Sequence, residues 1–128
     1  MSTDPHKNHF MVEVAGDVTV VFLSDARILD ETTVKVIAEE LMRLVDNTFK
    51  IKLMIDFSNV EYLSSAVLGK LVAIHKKVQE GKGGMKLACI KPAIKEVFKI
   101  TKLDKVFEIH DTHQACMDAF KQKKFGLF

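Results

Sequence analysis

After an N-terminal hairpin, the chain alternates between strand patterns and helical patterns, and this alternation limits its possible folds most strongly. The predicted order is β-β-α-β-α-β-α-β-α. Strands that alternate with helices imply right-handed crossovers and parallel neighbouring strands. We therefore predict a single-domain α/β fold, with a mixed central β-sheet, about four helices and an antiparallel N-terminal strand.

Two repeat patterns predict the elements: alternation of apolar and polar residues predicts strands, and apolar residues at helical spacing predict helices. Residues 10–14 alternate between apolar and polar positions around Phe10, Val12 and Val14, which predicts a half-buried first strand. Gly16 and Asp17 indicate the hairpin turn. Further strands are predicted at 18–23, 51–57, 85–90 and 106–109, and helices after Asp30, Ser64, Lys91 and Asp111 or Thr112.

One connection stands out as a functional candidate. An apolar strand ends near Phe57, a short polar segment follows, and a helical pattern begins at Ser64 and Ser65. The carboxyl ends of strands are where α/β sheets place their sites, and a helix N-terminus favours a phosphate. Simple N-capping by a serine is the alternative explanation.

Other chemistry has weaker support. The sequence contains no Gly-x-Ser-x-Gly motif, so a nucleophilic serine is not indicated. His110 and His113 lack a third ligand, which argues against a metal site. Gly69 interrupts the second helix, either for close packing of the helix on the sheet or to expose backbone to a partner. We predict no enzymatic activity and no cofactor.

The composition argues against nucleic acid as a partner. The 128 residues suit one domain, and 19 basic and 17 acidic residues are interspersed, so no nucleic-acid surface is expected. The N-terminus lacks the apolar region of a secretory signal, and Cys89 and Cys116 suit a reducing compartment. We predict a cytoplasmic protein for which membrane contact is not expected.

Several local motifs resemble the STAS domain of bacterial anti-sigma factor antagonists. Leu29-Asp30 with Thr33 is similar to the family's entry to its first helix. The segment 59–69 is similar to its phosphorylation segment. Pro92 to Phe98 and Leu103 to Phe107 are similar to its closing segments. The resemblance places a STAS domain at 9–122, after a disordered segment 1–8 and before a C-terminal tail 123–128.

The resemblance implies a role for each residue of the segment. Ser65 matches the phosphoacceptor serine, with Ser64 as the second choice. Ser64, Ala66 and Val67 stand where the family usually has Asp, Ser or Thr, and Gly. The implied partner is an anti-sigma factor that is also a serine kinase. The implied contact residues are Asp30, Thr33, Glu61, Tyr62, Ser64, Ala66, Val67 and Gly69.

The departures from the family pattern leave a second function open. The domain could instead be a scaffold without a switch, or an accessory subunit of a signalling or transporter complex. A constitutive binding module of that kind would keep the fold without phosphorylation at Ser65.

Overall fold

A five-stranded mixed sheet forms the centre of the computed structural model, which describes residues 9–121. The strand order is β1-β2-β4-β6-β7, in which only β1 and β2 are antiparallel. This confirms the predicted α/β class. The expectations for residues 1–8 and 123–128 lie outside the described residues. The bounds of the sheet strands are β1 Phe10–Ala15, β2 Val18–Leu23, β4 Lys52–Asp56, β6 Gly84–Ala88 and β7 Glu108–His110.

Four helices cover the two faces of this sheet. They are α1 Glu31–Asp46, α2 Ser65–Glu80, α3 Pro92–Ile100 and α4 His113–Lys121. The apolar faces of α1, α2 and α3 form the larger core with one side of the sheet. Cys116 and Phe120 of α4 pack with Val18, Val20 and Met54 on the other side. The central strand β4 is therefore buried on both faces.

Two additional two-residue strands were not predicted as a pair. Arg27–Ile28 forms β3, and Tyr62–Leu63 forms β5; they pair in parallel outside the main sheet. Neither segment falls within one of the predicted strands. The last strand also begins later than predicted, because a 3-10 turn at Leu103–Lys105 precedes it.

The first strand is more exposed than its alternating pattern predicts. Phe10 packs partly against the larger core. Val12 and Val14 are 46% and 69% exposed. The expectation of a half-buried strand is thus wrong for two of its three apolar positions. The reason is that β1 is an edge strand, and β2 is its one neighbouring strand among the described residues.

Gly83 is required where the chain returns from α2 to the sheet. A Cβ atom at Gly83 would lie 2.2 Å from the carbonyl oxygen of Ile51, well inside van der Waals contact. At the neighbouring Gly84, the part of the chain that the structure describes places no atom within 4 Å of the corresponding Cβ position. The two adjacent glycines therefore differ in their tolerance of a side chain.

We expect Gly83→Ala to destabilise the fold by about 1–3 kcal/mol, since backbone must shift to admit the methyl group. Gly84→Ala, the matched control, should change the free energy of unfolding by no more than about 0.5 kcal/mol. Urea unfolding of both variants measures the difference. Equal losses at the two positions would contradict this account of the turn.

Candidate functional site

The small β3–β5 sheet brings the N-termini of α1 and α2 together. The backbone N–H groups of Glu61 and Tyr62 donate to the carbonyl of Ala26 at 2.8 and 3.0 Å. The N–H of Ser64 donates to the carbonyl of Ile28 at 3.0 Å. These bonds fix the chain just before α2 against the chain just before α1. The predicted Asp30 and Ser65 segments therefore belong to one surface.

Asp30 caps α1 as predicted. Its carboxylate accepts a hydrogen bond of 3.0 Å from the backbone N–H of Thr33. That bond, together with the Thr33 side chain, lowers the pKa of Asp30 from its ordinary value. Glu31 adds a second acid in the first helical turn. The start of α1 is a satisfied, negatively charged helix end.

The start of α2 is built differently. Ser64 has the extended backbone of an N-cap residue, but its side chain makes no capping hydrogen bond. Its hydroxyl oxygen is buried and has no hydrogen-bond partner among the described residues. Ser65, the first residue of α2, is exposed. Capping therefore does not explain this serine pair, and Ser65 is the accessible hydroxyl.

Exposed apolar groups and a groove flank Ser65. Tyr62 is 54% exposed and Leu29 is 46% exposed. The guanidinium of Arg27 lies 5.0 Å from the centroid of the Tyr62 ring. An open groove of about 860 Å³ lies between α1 and α2, and its lining includes Ala66, Glu31, Lys35 and Lys70. Arg27, Leu29 and the groove were absent from the predicted contact set.

Two predicted contact residues of α2 differ in exposure. The Val67 side chain is 8% exposed and belongs to the core. Gly69 is exposed, and no atom of the described residues outside its own helix backbone lies within 4 Å of the position of a Cβ. Gly69 is therefore not required for packing of the helix on the sheet. Of the two explanations offered by the sequence, only exposed backbone remains.

A buried carboxylate fixes the chain ahead of this surface. Asp56 ends β4, and its side chain is 4% exposed. Its oxygens accept from the backbone N–H of Ser58 at 2.8 Å and lie 3.0 Å from His113 Nδ1 and 3.7 Å from the Cys89 sulfur. Strand alternation alone does not reveal this burial, because Asp56 lies between the apolar Ile55 and Phe57. The cover provided by α4 on the second face of the sheet makes the position internal.

Hydrogen bonding determines the ionisation of Asp56. Burial opposes its charge, but the hydrogen bonds from Ser58 and the contact with His113 outweigh this effect and lower the pKa of Asp56. Burial, reinforced by the neighbouring Asp56 charge, raises the pKa of the Cys89 thiol. Burial also raises the pKa of Cys116 to about 12. Neither cysteine has the lowered pKa that a reactive thiolate needs.

The two histidines considered for metal binding each contact a carboxylate. His110 Nε2 lies 2.7 Å from Glu108, and His113 contacts Asp56. Among residues 9–121, no group of three or more histidine, cysteine or acidic side chains could hold a metal ion. None of the helices in the same range is long and apolar enough to cross a bilayer.

The family assignment follows from this arrangement and from a match over residues 9–116 to the STAS domain. This chain belongs to the STAS domain family. Over 70 residues it is 29% identical to BtrV of Bordetella bronchiseptica, which carries the name of an anti-sigma factor antagonist. That alignment covers 55% of this chain and only 60% of BtrV.

Solved structures of the family share the fold. An anti-sigma factor antagonist (STAS) domain protein from Planctomyces limnophilus matches with a TM-score of 0.81 and 27% identity, over 88% of this chain and 98% of that one. The phosphorylated form of SpoIIAA, a Bacillus cell fate determinant, matches with a TM-score of 0.67 and 16% identity, over 87% and 98%. At that identity, the likeness to SpoIIAA concerns the fold alone.

Asp56→Asn tests whether this buried group supports the fold. The pKa of Asp56 is lower in the folded chain than its ordinary value near 4, so its charge stabilises the fold above about pH 4. This contribution is lost as the pH falls through the folded value. We expect the variant to lose about 1–2 kcal/mol at neutral pH, and the loss to shrink below about pH 4.

The measurement is urea unfolding of wild type and variant from pH 7 to acid. Asp104→Asn is the matched control, because it removes the same charge from an exposed position. A loss for Asp56→Asn that does not vary with pH would show that the charge of Asp56 is not the stabilising feature.

Proposed function

We propose that this protein is an anti-sigma factor antagonist that regulates transcription by binding another protein. In this proposal the unphosphorylated chain binds an anti-sigma factor that is also a serine kinase. Phosphorylation of Ser65 then releases the complex. The observation that carries the proposal is the exposed Ser65 hydroxyl at the start of α2, beside the N-terminus of α1.

The family and its members support this function. BtrV and the Planctomyces protein are both named as anti-sigma factor antagonists. SpoIIAA, which shares the fold, is known in a phosphorylated form. STAS domains of this kind are binding modules rather than enzymes, so we propose a non-catalytic, cytoplasmic role without cofactor or nucleic acid.

The proposed contact surface joins the two helix starts. Asp30 and Thr33 contribute from α1, Glu61 and Tyr62 from the segment before α2, and Ala66 and Gly69 from α2. Val67 is buried, so only its backbone could take part. Ser64 could likewise contribute through its backbone, because its hydroxyl is enclosed. This enclosure supports Ser65 over Ser64 as the phosphoacceptor.

A phosphate would change the surface more than the fold. It adds about −1.5 to −2 charges at neutral pH. The N-terminus of α2 has no acidic residue in its first turn, so the helix tolerates this charge. A partner that covers Ser65 would have to desolvate the phosphate, next to the acids Asp30, Glu31 and Glu61. Release would therefore follow from electrostatic and steric exclusion, without refolding.

The direct test is phosphorylation by the partner itself. We expect the full chain, used as bait in an extract of the organism that produces it, to capture an ATPase related to histidine kinases. With ATP, that protein should add about 80 Da to the chain, the mass of one phosphate. The modified chain should bind it at least about tenfold more weakly, since like charges across an interface cost several kcal/mol.

Paired serine variants locate the modification. Ser65→Ala should abolish the added mass and remain bound in the presence of ATP, whereas Ser64→Ala should still be modified. Equal modification of Ser65→Ala would move the site to another residue. Capture of a transporter or a multi-copy signalling assembly, with no phosphorylation, would favour the alternative of a scaffold or accessory subunit.

Gly69→Ala separates stability from binding. The position is exposed within a helix and open to a methyl group, so alanine should stabilise the fold by about 0.4–1 kcal/mol. If the partner approaches the bare backbone, the same methyl group should weaken binding. Thermal unfolding and titration with the captured partner measure the two effects.

Lys76→Ala provides the control for this experiment. It changes an exposed residue seven positions farther along α2 and should leave affinity unchanged. Unchanged affinity of Gly69→Ala would exclude Gly69 from the contact surface.

A further inference from the structure

Strand β1 is an apolar edge. Within the described part of the chain it pairs only with β2, and it lies at one end of the sheet. Its side chains Met11, Val12 and Val14 are 67%, 46% and 69% exposed. Exposed apolar edges of this kind are templates for pairing with another strand.

The direction of the backbone groups follows from the pairing with β2. Position 9 lies opposite position 24, and the carbonyl of His9 accepts from the N–H of Ser24 at 2.8 Å. In an antiparallel pair, hydrogen-bonded positions alternate along the strand. Positions 9, 11, 13 and 15 therefore face β2. Phe10, Val12 and Val14 direct their N–H and carbonyl groups outward.

We propose that β1 pairs antiparallel with β1 of a second copy of this chain, with Val12 opposite Val12 across a two-fold axis. Phe10 then lies opposite Val14 of the other copy, and Val14 opposite Phe10. This register engages every outward N–H and carbonyl group of both strands. The two five-stranded sheets join into one continuous sheet.

Other registers are less favourable. A shift of the pairing by one residue would place outward groups of one strand opposite inward groups of the other. A two-fold axis through Met11 or Glu13 would leave outward groups of β1 without a β1 partner. The axis through Glu13 would also place that carboxylate directly opposite its own copy, which is destabilising. In the proposed register Glu13 faces Met11.

The strand is suited to its own copy. All six residues of β1 pair with β2 in one register, and the strand contains no proline, lysine or bulge. These three features commonly protect an edge strand from pairing with another chain. Its one charge avoids its counterpart in the two-fold register. Phe10, Val12 and Val14 would form an apolar row across the junction, where cross-strand apolar pairs stabilise sheets.

The pairing is independent of the proposed switch. β1 is the edge of the sheet, whereas Ser65 follows the central strand β4. One strand pair buries less surface than a standard protein interface. We therefore expect a reversible dimer whose population rises with protein concentration.

Sedimentation of the full chain across micromolar to millimolar concentrations tests the dimer. The wild type should shift from one chain mass to two. Val12→Lys should remain one chain, because two lysines would face each other. Ile100→Lys, the matched control at a 74% exposed apolar position of α3, should dimerise as the wild type does. A monomer at all concentrations would overturn the proposal.

A second variant removes the hydrogen bond itself. Val12→Pro deletes an outward N–H and leaves the bonds to β2 intact, as edge strands allow. It should keep the circular dichroism spectrum of the wild type and lose the dimer. A folded Val12→Pro chain that still dimerises would place the contact elsewhere and overturn the proposal.

Cysteine cross-linking tests the register. In the proposed dimer, the two Val12 Cα atoms are about 5.5 Å apart, within disulfide range. Those of Val14 are about 14 Å apart, because four residues along the strand and one spacing between strands separate them. Val12→Cys should give a covalent dimer on mild oxidation, whereas Val14→Cys and the parent chain should not. Cross-linking through Val14→Cys alone would overturn this register.

Discussion

The buried carboxylate of Asp56 connects the parts of the structure that must stay in place for the surface around Ser65 to exist. It lies at the end of the central strand, where β4 is covered by helices on both faces. One oxygen holds the backbone of Ser58, and the other contacts His113 at the start of α4. The beginning of the β4–α2 connection and the start of the helix on the opposite face therefore share one anchor. Since a buried charge is costly without partners, these contacts constrain both segments together.

Beyond Ser58, backbone hydrogen bonds rather than side-chain contacts hold the candidate site in position. The chain after Ser58 runs into β5, whose pairing with β3 aligns it with the entry to α1. The serines and Asp30 are far apart in the sequence, yet their spacing is set by the backbone hydrogen bonds to the carbonyls of Ala26 and Ile28. A surface built in this way is preorganised. A partner would meet it without first ordering a loop, which lowers the cost of binding.

The sequence was sufficient for the order of the four long helices and of the five strands of the main sheet, and for the position of Ser65, because these depend on local signals. Periodicity distinguishes helices from strands, and a polar connection before a helical stripe marks a strand-to-helix junction. The predictions that failed depend on contacts between elements that are distant in the sequence. Val12 and Val14 alternate as in a half-buried strand, and only the sheet order reveals that they lie at an edge. Asp56 has the pattern of an outward residue until α4 covers its face. From the sequence, Gly69 is compatible with close packing of α2 on the sheet or with exposed helix backbone. The open space around its Cβ position favours exposed backbone.

The N-termini of α1 and α2 at the candidate site differ in how strongly local interactions stabilise them. α1 begins with a capping carboxylate bonded to Thr33 and an acid in its first turn. α2 begins without a side-chain cap, without an acid in its first turn and with an enclosed hydroxyl at Ser64 that has no partner within residues 9–121. Gly69 adds an exposed glycine to the next turn. Each feature lowers local helix stability, and packing of Val67, Leu68 and Leu71 compensates for it. Departures from local preference that cluster in this way are expected at functional positions. Here they leave the exposed Ser65 at the start of α2 without an acid in the first helical turn.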